Sequence, residues 1–114
     1  MSGVAGYYAI RFVGHLGMGL GGVCLLNGKV LGIDSNNIRY NGEYSDAGGR
    51  LKGTVRLSHP DGGTLITGQH LPAGQLVPIT FDWDISDFAR GFPQSLLVAG
   101  NPVAVVLEKL GELG

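Results

Sequence analysis

The chain has 114 residues, which is enough for one domain with a hydrophobic core. Apolar residues make up 44% of it and charged residues 15%, whereas soluble domains average about 25% charged residues. The net charge is -1 and the eight Lys and Arg residues are scattered, which excludes the concentrated basic patch of a nucleic-acid-binding protein.

Short strands separated by turns are predicted along most of the chain. In chain order they are 7–13, 21–26, 29–33, 38–45, 50–58, 64–70 and 76–85. Asn27-Gly28 lies between two apolar runs and signals a hairpin, because a type I′ turn needs positive φ at both central residues. We predict a glycine-rich connection at 14–19 and irregular chain, with at most one helical turn, at 86–94. The last segment, 95–110, forms either two strands around Gly100-Asn101 or one bent strand.

The clearest alternation of side chains lies in the fourth and fifth predicted strands. Positions 38, 40, 42 and 44 are apolar or glycine, and positions 39, 41 and 43 are polar. In 50–58 the odd positions are apolar or glycine and the even positions are polar. A period of two means that one face of a sheet is buried and the other is solvated. We therefore predict one all-β domain over residues 1–114, an antiparallel up-and-down β-barrel of about eight strands with little helix.

The small charged fraction also bears on what surrounds the barrel. It indicates an apolar barrel interior, a surface covered by a partner, or both. The segment Val103–Leu107 is apolar on both faces, so we expect something to cover it on both sides. We therefore expect a homodimer, whose predicted interface consists of Phe88, Phe92, Val103 and Val105.

The single cysteine and the N-terminal sequence indicate the cellular compartment. Cys24 permits no disulfide within the chain and no thiolate zinc cluster, and its apolar neighbours predict a small buried hydrophobic residue. The N-terminus lacks the basic and apolar regions of a signal peptide, and no apolar run reaches the roughly 18 residues of a membrane span. We expect a cytoplasmic protein of bacterial type, with no membrane span.

A glycine motif lies in Gly17–Gly22, which contains G-x-G-x-x-G after a predicted strand. A dinucleotide site requires a helix that opens at the last glycine, so that its N-terminus faces the pyrophosphate. A short apolar run and a hairpin turn follow instead, with no room for that helix. We interpret the motif as a flexible connection, or alternatively as a mobile lip over a cavity.

Histidines and acids form no recognised catalytic or metal set. His15, His59 and His70 are too far apart along the chain to be paired metal ligands, so we predict no metal and no cofactor. Asp82 and Asp84 have side chains about 7 Å apart along one strand face, which suits a hydrolytic pair, a cation site or, as we prefer, a solvated face. An enzyme requires His70 together with one of these acids inside a cavity, and we predict no catalytic residues.

Aromatic side chains dominate the inward face of the predicted barrel. They are the predicted ligand cavity: Tyr8, Phe12, Tyr40, Tyr44, Phe81 and Trp83. The inward positions Gly42 and Gly53 leave volume opposite these rings. Eight-stranded barrels are either filled with side chains or hold one small ligand, and both possibilities stay open here.

Five segments in the first half of the chain carry a family resemblance. They are GYYAIRF at 6–12, GGV at 21–23, NGKVLGIDS at 27–35, YNGEY at 40–44 and GGRLKG at 48–53. In this order they resemble the GrlR-like family, named for a negative regulator of type III secretion. The resemblance implies a dimeric, lipocalin-like barrel with a hydrophobic cavity, which binds a transcriptional activator rather than DNA. Founding members carry an acidic run between the fourth and fifth strands, where this chain has only Asp46.

Two functions are therefore expected. The first is a non-enzymatic regulatory protein that binds another protein, such as a transcriptional regulator. Its predicted polar contacts are Asp46, Asp82, Asp84 and Asp87. The alternative is a carrier or sensor of a small apolar ligand, such as a fatty acid or another lipid, held in the barrel cavity.

Overall fold

The computed structural model of the protein describes residues 4–112. In chain order its elements are β1 (Gly6–Gly14), β2 (Gly17–Leu26), β3 (Lys29–Asp34), β4 (Arg39–Ser45), β5 (Arg50–Ser58), β6 (Gly63–Thr64), β7 (His70–Leu71), β8 (Val77–Asp84), α1 (Ile85–Ala89), β9 (Gln94–Val98) and β10 (Asn101–Gly111). A 3-10 turn, Ala47–Gly49, leads into β5.

Eight strands form one antiparallel sheet that curls into a nearly closed barrel. Their order is β8-β5-β4-β3-β2-β1-β10-β9, so each large strand lies beside its neighbour in the chain. The predicted up-and-down barrel of about eight strands is confirmed. In the described residues the edge strands β8 and β9 lie side by side without a hydrogen-bonded ladder. The Trp83 indole N–H crosses this seam and donates to the carbonyl oxygen of Ser95 at 3.2 Å.

Inward and outward positions follow the predicted alternation. On β1 the side chains of Tyr8, Ile10 and Phe12 are buried, and on β5 those of Leu51 and Val55 are buried. These side chains belong to one hydrophobic core inside the barrel. The C-terminal segment is the two-strand alternative: β9 and β10 are joined by a turn in which Ala99 and Gly100 both have positive φ.

Two predicted boundaries are wrong. The segment 64–70 is not a strand, because a turn closed by the Gly68 N–H and the Leu65 carbonyl (2.9 Å) interrupts it; the small hairpin of β6 and β7 takes its place. Gly68 has a φ of 93°, which glycine adopts without strain. The glycine-rich segment is also not a loop, since β2 begins at Gly17 and pairs with β1 along its length. The lip over a cavity is therefore excluded.

The position of Cys24 also differs from the prediction. The alternation of β2 points Val23 and Leu25 into the core. Cys24 lies between them and therefore points outward, where it is half-buried.

Glycines on the inward face lie opposite aromatic rings. The cross-strand partners are Phe12 and Gly19, Tyr40 and Gly32, and Phe81 and Gly53. A Cβ built on Gly19 would overlap the Phe12 ring, and one on Gly53 would lie 2.7 Å from the Phe81 ring. The rings therefore occupy the volume that the glycines leave, as cross-strand pairs in sheets do. This packing reduces the free space inside the barrel.

Candidate functional site

The interior of the barrel contains a cavity of about 110 Å³. Buried side chains from most strands form its wall, among them Ile10, Val55, Ile79 and Val105, and nearly all of the wall is apolar. An engineered apolar cavity of about 150 Å³ in another protein stays dry and binds benzene. The interior thus offers space and chemistry for a small apolar molecule and few hydrogen-bonding groups for a polar one.

The predicted cavity aromatics divide into two groups. Phe12, Tyr40, Phe81 and Trp83 line the cavity. Tyr8 and Tyr44 do not line it. Tyr8 is buried near the end of the barrel that α1 covers, and Tyr44 is half-buried against the core.

A polar cluster borders the end of the cavity where β3 ends and β4 begins. The Tyr40 hydroxyl donates to Asp34 Oδ2 at 2.8 Å, and Asp34 Oδ1 accepts from the backbone N–H groups of Asn36 (2.9 Å) and Ile38 (3.1 Å). Burial, with the adjacent Asp34 carboxylate, raises the pKa of Tyr40 far above its usual value. The phenol stays neutral, so Asp34 and Tyr40 fasten the β3–β4 turn. Sequence reasoning missed Asp34, although an Asp that opens a polar turn signals this kind of hydrogen bonding.

The hairpin of β6 and β7 covers the same end of the barrel. Leu65 and Leu71 are buried there, and Leu65 and Ile66 line the cavity. The Leu16 N–H donates to the Ile66 carbonyl oxygen at 2.8 Å, which ties the hairpin to the β1–β2 turn. The segment 64–70, which was predicted as a strand, thus helps to close this end of the barrel.

An aromatic cluster covers the opposite end. Asp84 caps α1, because its Oδ1 accepts from the N–H groups of Ser86 (2.8 Å) and Asp87 (3.1 Å). Hydrogen bonds from Ser86 and Asp87 hold the pKa of Asp84 below its usual value. The helix places the Phe88 ring with its centroid 5.3 Å from that of Tyr8 and 6.2 Å from that of Trp83.

The predicted dimer residues lie mostly inside the chain. Phe88, Val103 and Val105 are buried and line the cavity, and Phe92 is exposed. Val103 and Val105 face inward because β10 alternates between β1 and β9. A contact surface for a second copy is therefore to be sought on other residues.

Hydrogen bonds within the chain engage Asp82 and Asp84, two of the predicted acidic contacts. Asp82 Oδ1 accepts from Arg50 Nε at 2.9 Å, and Asp84 caps α1. Asp87 is half-buried in the first turn of α1, and Asp46 precedes the 3-10 turn. Asp82 and Asp84 are thus engaged in holding β8, β5 and α1 together.

Within the described residues, His70 and the acidic residues of β8 lie apart. His70 lies exposed on β7, at the end of the barrel opposite to α1, and Asp82 points outward from β8. Within residues 4–112, no three side chains of His, Cys, Asp or Glu gather in a way that would hold a metal ion. In the same range, no helix has the length and apolarity to cross a membrane.

An exposed apolar surface, which sequence reasoning missed, lies on the outside of β1, β2 and β3. We name it the apolar outer face. It consists of Tyr7, Ala9, Val13, Met18, Leu20, Gly22, Cys24, Leu31 and Ile33, and the exposed Arg11 lies between Ala9 and Val13 at its β10 border. Met18 is 73% exposed and Leu31 is 55% exposed. The available signal was that outward positions of β2 and β3, and not only inward ones, are apolar.

Comparison with known proteins gives no relatives: no family model, curated protein or solved structure matches the chain. The cavity and the outer surfaces of the barrel therefore carry the functional inference.

Proposed function

We propose that the protein is a non-enzymatic binding barrel that takes a small apolar ligand into its interior. The observation that carries this proposal is the apolar cavity of about 110 Å³, covered at one end by the β6–β7 hairpin and at the other by Phe88. Removal of apolar surface from water contributes about 25 cal/mol per Å², so an apolar guest gains from entering. A polar substrate would find few partners on this wall.

The size of the cavity limits the ligand. Its volume suits one small ring or a short alkyl chain, by comparison with the cavity of about 150 Å³ that binds benzene. A longer chain requires side chains at the seam to move. Trp83, Phe81 and Leu96 line the cavity there, and the seam is held by side chains rather than by a strand ladder. The seam is accordingly where we expect the barrel to adapt.

Titration with octanol tests this proposal, because Trp83 is the only tryptophan and lines the cavity. We expect a saturable change in its fluorescence. Val55→Phe projects a ring into the cavity and should weaken octanol binding at least about tenfold. Thr54→Phe introduces the same ring on the outer face of β5 and should leave octanol binding unchanged. Thermal melts check that Val55→Phe folds, and Val55→Leu is the milder variant. A flat titration of the wild-type protein would contradict the proposal.

We also propose that a second copy of the chain covers the apolar outer face. The outer surfaces of β1, β2 and β3 together cover roughly 400 Å², from the rise per residue and the spacing between strands. The largest exposed patch of a typical monomer is about 300–600 Å² and is often functional, and a standard interface buries about 800 Å² on each partner. The apolar outer face would supply about half of that area. Ala9 and Gly22 pair at the middle of the face, where their small size lets another sheet approach closely.

A regulatory role through a different protein is the second candidate function, in line with the sequence resemblance. The apolar outer face also favours it, since a regulator needs a surface for its partner. Sedimentation analysis separates the two: a dimer at micromolar concentration supports the second copy, and a monomer leaves the face for another protein. The half-exposed thiol of Cys24 suits the reducing cytoplasm, where we place the protein.

A further inference from the structure

A groove of about 560 Å³ lies outside the barrel wall beside the C-terminal half of β10. β9 pairs with β10 only over Asn101–Val105, whereas β1 pairs with β10 as far as Gly111. Residues 106–111 of β10 therefore have a strand partner on one side only. The last residue of α1 and the turn that follows it, residues 89–91, form the other wall of the groove.

The groove is lined by more cations than anions. Arg11, Arg90 and Lys109 line it, and Glu108 is the acid that opposes them. Lys109 forms an ion pair with Glu112. Within residues 4–112, neither Arg11 nor Arg90 forms an ion pair; the Arg90 guanidinium lies 5.7 Å from the centroid of the Phe92 ring. Two arginines can thus receive an anion without losing an existing ion pair.

The groove and the interior cavity share part of a wall. Phe88 and Leu107 line both of them. Phe88 belongs to the five-residue helix α1, so movement of one ring or of one short helix would connect the two spaces. A group held in the groove would therefore lie beside an apolar space that is large enough for a short chain.

We propose that the groove binds the anionic head of an amphipathic ligand, a carboxylate or a phosphate, whose apolar tail enters the barrel. This proposal rests on the proposed function, because it requires an apolar guest inside. Arg11 and Arg90 would hold the head, since a planar guanidinium donates paired hydrogen bonds to carboxylate and phosphate oxygens. Glu108 would oppose the head by charge repulsion.

Titration with octanoate, octyl phosphate and octanol tests the assignment by calorimetry and Trp83 fluorescence. The double variant Arg11→Gln, Arg90→Gln loses two charge-assisted contacts. It should weaken the binding of octanoate or octyl phosphate at least about tenfold and leave the binding of octanol unchanged. Lys52→Gln, which removes an exposed cation from β5 elsewhere on the barrel, is the matched control and should change neither. Glu108→Gln should tighten binding of the anionic ligand.

The outcomes separate the two proposals. Equal effects of the double variant on octanol and on the anionic ligands, or no effect on any of them, would overturn the groove assignment and leave the interior site standing. Failure of octanol and of both anions to bind the wild-type protein would overturn the proposed function and the groove with it. The tighter of the two anions identifies the head as carboxylate or phosphate.

Discussion

The two halves of the barrel share one architecture and differ on the outside. The apolar outer face covers β1, β2 and β3. The polar outer face, on β4, β5 and β8, consists of Arg39, Asn41, Glu43, Lys52, Thr54, Arg56, Thr80 and Asp82. Apart from Asp34 at the end of β3, inward residues are apolar or glycine in both halves, because the fold depends on them. Outward residues are free of that demand, so they reflect what lies against them: water on one side and, as we propose, another surface on the other.

Ion pairs distinguish the polar outer face further. Arg56 donates to both carboxylate oxygens of Glu43, which holds the pKa of Glu43 below its usual value. Arg50 pairs with Asp82 across β5 and β8. These pairs are exposed and contribute little to stability, but they keep this face hydrated and discourage contact with an apolar surface.

The sharpest test of the comparison introduces a lysine on each of the two outer faces in turn. Gly22→Lys lies at the centre of the apolar outer face, where a side chain meets open space, so the folded chain should tolerate it. In a dimer it would bury two uncompensated cations, and we expect the dissociation constant to rise about 100-fold or more. Thr80→Lys, on the polar outer face, should leave it unchanged. Sedimentation velocity over a concentration series measures both, and equal dissociation constants would contradict the assigned interface.

A smaller effect is expected where the two halves meet, at Tyr40 and Asp34. The pKa of Tyr40 is raised in the folded chain, so the unfolded chain releases this proton first as pH rises. Stability from this group is intact below about pH 10 and decreases above it. Tyr40→Phe should cost about 1 kcal/mol at neutral pH through the lost hydrogen bond and should flatten the alkaline decline.

Urea unfolding at several pH values measures the Tyr40 effect. Tyr7→Phe, which changes an exposed tyrosine of the apolar outer face, is the control and should leave the free energy of unfolding at neutral pH unchanged. Burial and the charge of Glu112 raise the pKa of Tyr8 to about 12, so part of the alkaline decline should persist in Tyr40→Phe. An unchanged slope in that variant would contradict the assigned hydrogen bond.

The smallest effect is expected from the ion pairs of the polar outer face. Glu43→Lys places a third cation between Arg56 and Lys29, its partner on β3, and should lower the melting temperature by a few degrees at low salt. At about 1 M salt the difference should vanish, since exposed charges are screened. Differential scanning calorimetry at both salt concentrations measures it. A loss that persists in high salt would mean that Glu43 has a packing role instead.

Alternation alone predicted the barrel and most of its strands. β5 matches its prediction from Arg50 to Ser58, because its inward and outward residues differ clearly in polarity. β2 was predicted too short, since the segment 14–19 was read as a glycine-rich connection; only the facing ring of Phe12 explains Gly19. The size of the cavity depends on which inward residues face each other on neighbouring strands. The sequence of a single strand does not determine that register.

The site residues were harder to predict than the fold. Aromatic residues on inward positions led to Phe12, Tyr40, Phe81 and Trp83, all of which line the cavity. The groove at β10 was not predictable, because it exists only where β9 ends before its neighbour does.

Native mass spectrometry of the purified protein, after incubation with octanol, tests the central claim most directly. The account predicts a mass of two chains that carries up to two octanol molecules, and the Val55→Phe variant should appear as a dimer with neither. A bare chain mass for the wild-type protein at every octanol concentration would contradict the binding barrel.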